Sequence, residues 1–247
     1  MRAHFLQPTP RFGRVNHRLP IGYQQRSPYY WWWAYLRRNA DYLACCGLGG
    51  MGELAGRYAD FGDVREDDFH AWWTKEQRGV KLFAEVPLEL HLSELTSVDE
   101  WQPQWTQEQV MVLAIPLRVS KRRLKGQFAK MLERRHPGKQ GRPAIAQQAS
   151  TARYTLARNY TIPNLQTMLA VYDLWNDNQQ RSGKDKLKLW EIGIELRLNK
   201  DAAKDAQSKF SEERLEGRNV LAATVSRYVK QAKAIIANTA KGQFPLS

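Results

Sequence analysis

Residues 189–236 read LWEIGIELRLNKDAAKDAQSKFSEERLEGRNVLAATVSRYVKQAKAII, and the two ends of this stretch carry separate helical signals. At the far end, Leu221, Val225, Tyr228, Val229, Ala232, Ile235 and Ile236 share one stripe at the spacing of an amphipathic helix, predicted over 219–238. Thr224, Ser226, Arg227, Lys230 and Lys233 fall on its outward side. At the near end, Ile192, Gly193, Leu196 and Leu198 fit a helix whose small residue meets a second helix. The near-alternation of Leu187, Leu189, Ile192, Ile194, Leu196 and Leu198 also fits a strand, and the helix is the preferred reading. Residues 199–218, NKDAAKDAQSKFSEERLEGR, lie between the two signals and are too many for a tight turn.

Upstream, SKRRLKGQFAKMLERRH (120–136) places Leu124, Phe128, Met131 and Leu132 at helical spacing, with Lys and Arg on the other faces. LQTMLAVYDLWND (165–177) repeats that spacing through Leu165, Leu169 and Tyr172. Near the start, Ser27-Pro28 supplies a cap and a first-turn proline, and an aromatic helix is expected from there to about Cys46, ended by GLGGMG (47–52). The tryptophans at 31, 32 and 33 point in three directions on a helix and are not expected all to face one core. The preferred reading is aromatics that fill the core of a small domain, the others being one or two in contact with a partner or another subunit, or stacking on single-stranded bases. Residues 1–28 read as an extended arm that wraps its own domain or touches a partner. Phe69, Trp72 and Trp73 form the buried side of a short helix. VKLFAEVPLEL (80–90) and QVMVLAIPLRV (109–119) are rich in β-formers and predict a pair of strands, with their prolines at an edge or bulge. The predicted fold is α+β, mostly α. It comprises an aromatic N-terminal region with a small antiparallel sheet (1–119) and a basic helical region (120–247) ending in a helix-turn-helix-like unit.

A net charge of +13 and a pI near 9.8 imply an anionic partner. The charge is uneven: residues 60–100 hold 11 acidic and 4 basic side chains, residues 121–160 hold 11 basic and 1 acidic. Lys121, Arg122, Arg123, Arg134, Arg135, Lys139, Arg142, Arg153 and Lys233 are the candidate phosphate contacts, with Arg158 beside them. Gly141-Arg142-Pro143 has the core of a minor-groove hook without basic neighbours on both sides. Cys45 and Cys46 are the only cysteines, and adjacent cysteines are poorly placed to bridge each other, so no disulfide framework or Cys-rich zinc site is expected. The opening MRAHFLQPTPRFGR has no apolar stretch behind its basic residues, and no run is long enough to span a bilayer, so a cytoplasmic chain without membrane attachment is expected. No phosphate-binding loop, GxSxG or HExxH is present. His70 beside Asp67 and Asp68 reads better as a helix start than as a metal ligand, and His136 has no paired carboxylate. No catalytic residue, cofactor or metal is therefore expected.

Thr224-Val-Ser-Arg-Tyr-Val-Lys230 is similar to the start of recognition helices in bacterial repressors and in the DNA-binding regions of sigma-like factors. The resemblance implies a helix-turn-helix over Leu189–Ile236, in which Thr224, Ser226, Arg227 and Lys230 read bases. The connection over 199–218 departs from the three or four residues of the standard motif. It is either an insertion, with a short helix of its own, or a separator between two units. A second likeness lies in WWWAYLRRNADY (31–42), which resembles the W-x-x-L-R-R-N-x-x-Y segment of regulator-like proteins on bacterial conjugative and phage-derived elements. Together the likenesses imply a DNA-binding transcriptional regulator of a mobile element. DNA is favoured over RNA as the partner, and because single modules bind weakly and operators are usually twofold, a homodimer is the favoured assembly. The alternative is a nucleic-acid-binding subunit of a larger mobile-element or antiviral-defence complex, with Trp31, Trp32 and Trp33 contacting a protein neighbour.

Overall fold

The computed structural model describes residues 3–14, 16–85, 94–95, 97, 111–135, 150–157 and 160–247. The class is the expected one, α+β and mostly helical, but the sheet is not where the β-formers lie. Its two strands, β1 (Gly13–Arg14) and β2 (His17–Arg18), form an antiparallel pair in the N-terminal arm, with Gly13 opposite Arg18 and Arg14 opposite His17. A one-turn helix, α1 (Ile21–Gln24), follows. The arm wraps its own domain: Phe5 packs on Tyr29 and Trp73, and Phe12 on Phe69.

Helix α2 (Pro28–Leu36) starts at Ser27-Pro28 as predicted, but Ser27 makes no side-chain capping hydrogen bond, and only Tyr30 of the nine helical residues escapes full burial. Trp31, Trp32 and Trp33 are 4%, 0% and 1% exposed, which corrects the expectation that three adjacent tryptophans cannot share a core. The reason is position: α2 is packed on all sides, so each direction around it is core. Trp32 meets Phe61, Phe83, Tyr154 and Phe244 at ring-centroid distances of 5.7, 5.2, 5.8 and 5.3 Å. The Trp31 indole donates to the Gln25 carbonyl at 2.8 Å, while the buried indole N–H groups of Trp32 and Trp33 have no acceptor among the described residues.

The helix does not continue to Cys46. It stops at Leu36, and Asn39 starts a second one, α3 (Ala40–Gly47), by accepting the Tyr42 N–H at 2.8 Å. A side-chain cap of this kind supplies a partner for one of the free N–H groups of a new first turn. After the glycines come α4 (Ala55–Phe61) and α5 (Phe69–Thr74), the latter capped by Asp68 and burying Phe69, Trp72 and Trp73 as predicted.

The first predicted strand is a helix in its first part, α6 (Arg78–Phe83), preceded by a 3₁₀ turn at Lys75–Gln77. Tertiary packing decides this. Gly79 lies so close to Trp73 that a Cβ would stand 2.2 Å from the indole ring, while Leu82 and Phe83 face the core. Residues 86–90 lie outside the described residues. Of the second predicted strand, 111–116 form no ladder and Leu117, in a turn, is 91% exposed. Pro116 cannot donate to a ladder.

The chain divides into two units, Met1–Val86 with Ser150–Ser247, and Pro87–Ala149. In the second, α7 (Lys121–Arg135) forms as predicted, with Leu124, Phe128, Met131 and Leu132 half-buried and its cations exposed. In the first, α2 packs against α8 (Ile162–Gln179) and α11 (Ser211–Ala240), so the aromatic N-terminal segment and the C-terminal helices share one core.

Glu85 closes the first unit where the chain leaves and re-enters it. Its carboxylate accepts from Ser150 Oγ at 2.6 Å, Thr151 N at 2.6 Å and Thr151 Oγ1 at 2.7 Å. Burial by itself raises this carboxyl, but the three hydrogen bonds outweigh burial and hold it below its ordinary value. A depressed folded value contributes stability that is present above the unfolded carboxylate range and is lost as pH falls through the folded value. Glu85→Gln is expected to cost about 1 kcal/mol at pH 7, the group being only partly shielded from solvent. The difference from wild type should shrink in urea titrations below about pH 4.

Candidate nucleic-acid interface

Four elements build the C-terminal helical module. Near the end of α8, the buried Asn178 side chain pairs with one residue through both of its polar ends, donating to Leu187 O at 2.9 Å and accepting Leu187 N–H at 2.8 Å. That pairing holds the segment leading into α9 (Leu189–Glu195), whose first turn is closed by Glu191 accepting the Lys188 N–H at 2.6 Å. The helical alternative for 187–198 is therefore the one that forms, from Leu189 onward.

Helix α9 ends in a reversed turn. Arg197 adopts φ +50, its N–H reaches Ile194 O at 3.0 Å, and the Leu198 N–H reaches Gly193 O at 3.0 Å. These two bonds define a Schellman termination, usually made with glycine at the left-handed position and here made with arginine. The turn is four residues long, Leu196 to Asn199, and Asn199 caps α10 (Lys200–Asp205) by accepting the N–H groups of Asp201 and Ala202 at 3.2 and 3.1 Å. Residues 199–218 thus contain a short helix of their own. Ser208 Oγ then bonds Glu213 at 2.6 Å, and α11 begins at Ser211.

Both short helices lie close on α11, and a glycine marks each crossing. A Cβ on Gly193 would come within 3.1 Å of Leu221, and one on Gly217 within 2.4 Å of Ala206 N and 2.7 Å of Ala202 O. Val171, Ile192, Val225 and Val229 form one small core, and Ala202, Ala206 and Leu221 another. The rest of α11 belongs to the aromatic core, through Ala232, Ile235, Ile236 and Ala240. Three polar ties fix the module to the N-terminal helices. Arg38 meets Asp173 through two bonds at 3.0 and 2.7 Å, Asn39 Nδ2 donates to Ile236 O at 3.2 Å, and the Tyr35 hydroxyl donates to Leu165 O at 2.9 Å. Burial, with the nearby Asp173 carboxylate, pushes the Tyr35 hydroxyl far above its ordinary value, so it stays a donor.

The predicted buried stripe of α11 forms, with Tyr228 half-buried. Of the residues expected to read bases, Ser226, Arg227 and Lys230 are exposed. Thr224 is half-buried and its hydroxyl donates to Val220 O at 2.8 Å within the helix. Lys233 is exposed, with its ammonium 4.0 Å above the Trp175 ring. At 100° per residue, Ser226, Arg227 and Lys230 lie across α11 from the Leu221–Val225 side that receives α9 and α10.

Among the expected phosphate contacts, Lys121, Arg122, Arg123, Arg134 and Arg135 are exposed on α7 in the second unit. Arg153 is exposed but pairs with Asp60 at 2.6 Å, and Asp60 also accepts the Tyr154 hydroxyl at 2.5 Å. Lys139, Arg142, Arg158, His136 and the Gly141-Arg142-Pro143 hook lie outside the described residues. Trp31, Trp32 and Trp33 are interior and present no surface to a neighbour. The carboxylates around His70 are engaged elsewhere, Asp67 with Arg37 and Asp68 with the first turn of α5, while His70 Nδ1 accepts from Arg18 at 3.2 Å. Among the described residues no group of three or more His, Cys, Asp or Glu is placed to hold a metal ion, and no helix is long and apolar enough to cross a membrane. No family model, curated protein or solved structure matches the chain.

Proposed function

We propose that this chain is a duplex-DNA-binding protein, a transcriptional regulator of a bacterial mobile element, with α9, α10 and α11 as its docking module. The observation that carries the reading is the four-residue turn between α9 and α10, the connection length of a helix-turn-helix, set in a chain of net charge +13. Exposed cations of the same module, Arg197 and Lys209 among them, would neutralise phosphates. The regulator assignment rests on the two short likenesses, around Thr224–Lys230 and Trp33–Tyr42. Burial of Trp31, Trp32 and Trp33 removes the surface on which the alternative, a subunit docked through those tryptophans, depended.

Fluorescence anisotropy with a labelled 30-bp mixed-sequence DNA duplex tests the proposal. Binding is expected at 50 mM salt and should weaken by about 10³-fold or more at 200 mM, as counterion release at six or more phosphates requires. A double-stranded RNA of the same sequence should compete less well, because its major groove is too narrow for a helix. Absence of binding at 50 mM salt would overturn the reading.

A further inference from the structure

We infer that α10, and not the outward face of α11, is the element that enters the major groove and reads base edges. The inference rests on the duplex-binding reading above and goes beyond it by relocating the reading residues to Lys200, Lys204 and Gln207.

Three observations lead there. The first is connectivity. In a helix-turn-helix the reading helix follows the scaffold helix after three or four residues. Four residues separate α9 from α10, whereas α11 begins only at Ser211. The Schellman turn at Arg197 and the Asn199 cap determine how the chain leaves α9 and starts α10.

The second is the chemistry of the exposed side. Ala202 of α10 and its C-cap Ala206 are buried with Leu221. Lys200 and Lys204 stand on the other side of α10 at i and i+4, and Gln207 lies in the turn just past its end, all three exposed. Among the described residues neither lysine is held in an ion pair. Lysine suits guanine O6 and N7, and glutamine pairs with adenine N6 and N7 through two bonds. Asp201 flanks them as an acceptor suited to cytosine N4. Arg197 and Lys209, exposed on either side of the helix, are placed for phosphates.

The third is rigidity. The backbone of α10 rests directly on Gly217, so the helix is held at backbone distance from α11 and its outward side chains start from a fixed frame. Ser226, Arg227 and Lys230, across α11 from α10, belong to a different surface and are not part of the reading face.

Selection of bound sequences from a pool of random 30-bp duplexes tests the inference. It compares the wild-type chain, the double variant Lys204→Ala/Gln207→Ala and the double variant Arg227→Ala/Lys230→Ala, with thermal midpoints confirming that each is folded. The substituted side chains are all exposed. Wild type is expected to enrich a defined motif. The α10 variant should lose or change that motif, with discrimination falling about tenfold or more per affected base, while binding the unselected pool within about tenfold of wild type. The α11 variant should enrich the same motif as wild type. Retention of the wild-type motif by the α10 variant, or its loss from the α11 variant, overturns the inference. A wild-type chain that binds the pool but enriches nothing also overturns it and leaves duplex binding intact. A chain that binds no duplex refutes the functional reading itself.

Discussion

Gly217→Val is expected to separate α10 from α11 and to cost the chain about 3 kcal/mol or more. The space that a first side-chain atom needs at this position is occupied by backbone. Ala206 N would stand 2.4 Å from the new Cβ and Ala202 O 2.7 Å from it. Backbone atoms cannot swing aside as a side chain can, so relief requires moving the whole of α10. Overpacking a close contact costs roughly 1–3 kcal/mol where side chains can adjust, and here they cannot. The gain in helix propensity from replacing an interior glycine is only about 1 kcal/mol at most and does not offset it. Gly193→Ala provides the contrast, because its nearest contacts, Leu221 Cβ and Cδ2 at 3.1 Å, need to give by only a few tenths of an ångström. That variant should lose no more than about 1 kcal/mol. Urea denaturation reads both differences, and near-equal losses would show that the α10–α11 crossing is looser than described. If α10 carries duplex recognition, Gly217→Val should also weaken duplex affinity by tenfold or more at temperatures where the chain stays folded.

The second large effect lies in the aromatic core. Trp32→Ala is expected to cost about 3–5 kcal/mol, the range for emptying a buried tryptophan site. Trp32 is fully buried among four other aromatic rings, none of which can collapse into the vacated volume without leaving its own partners. Against a typical total stability of about 5–15 kcal/mol, that loss leaves a chain partly unfolded at physiological temperature. Trp32→Phe should cost much less, because the indole N–H has no acceptor among the described residues and its removal leaves no hydrogen bond unmade. A Trp32→Phe loss as large as that of Trp32→Ala, measured by thermal unfolding, would contradict this picture. Phe244, which follows α11, is one of the four rings, so the substitution also loosens the seat of the C-terminal module.

The elements legible in the sequence are those with one wet and one dry face. The stripes of α7, α8 and α11 could be counted directly, and each helix forms where its stripe lies. Helix α2 has no wet face, so periodicity could not locate its end, and the break at Arg37–Asn39 depends on a cap made by Asn39. Residues 80–83, the first part of the predicted strand, are helical for a related reason. Their Val, Leu and Phe suit a strand in isolation, but contact between Gly79 and Trp73 places α6 there. Within the candidate site, Gly193 was readable as a close-packing residue. The turn after α9 was not, because its left-handed position is held by Arg197 instead of glycine. Helix α10 is six residues long, with alanines on its buried side, and gives no stripe long enough to register. The motif-like string lies instead in α11, at Thr224–Lys230. Asn178 and its pair of hydrogen bonds to Leu187 have no sequence signal, since a buried asparagine is recognised only by what surrounds it.

Site-directed cleavage offers the most direct test of duplex docking through this module. Cys45 and Cys46 are buried, at 5% and 1% exposure, so Gln207→Cys or Ser226→Cys adds one accessible thiol to which an iron chelate can be attached. With a bound 30-bp duplex, the chelate at position 207 is expected to cut the DNA efficiently, with the cut positions on the two strands offset as for a reagent in the major groove. The chelate at position 226 should cut weakly. Strong cutting from 226 with none from 207 would contradict the account, and cutting from neither position in a bound complex would place the interface outside the C-terminal module.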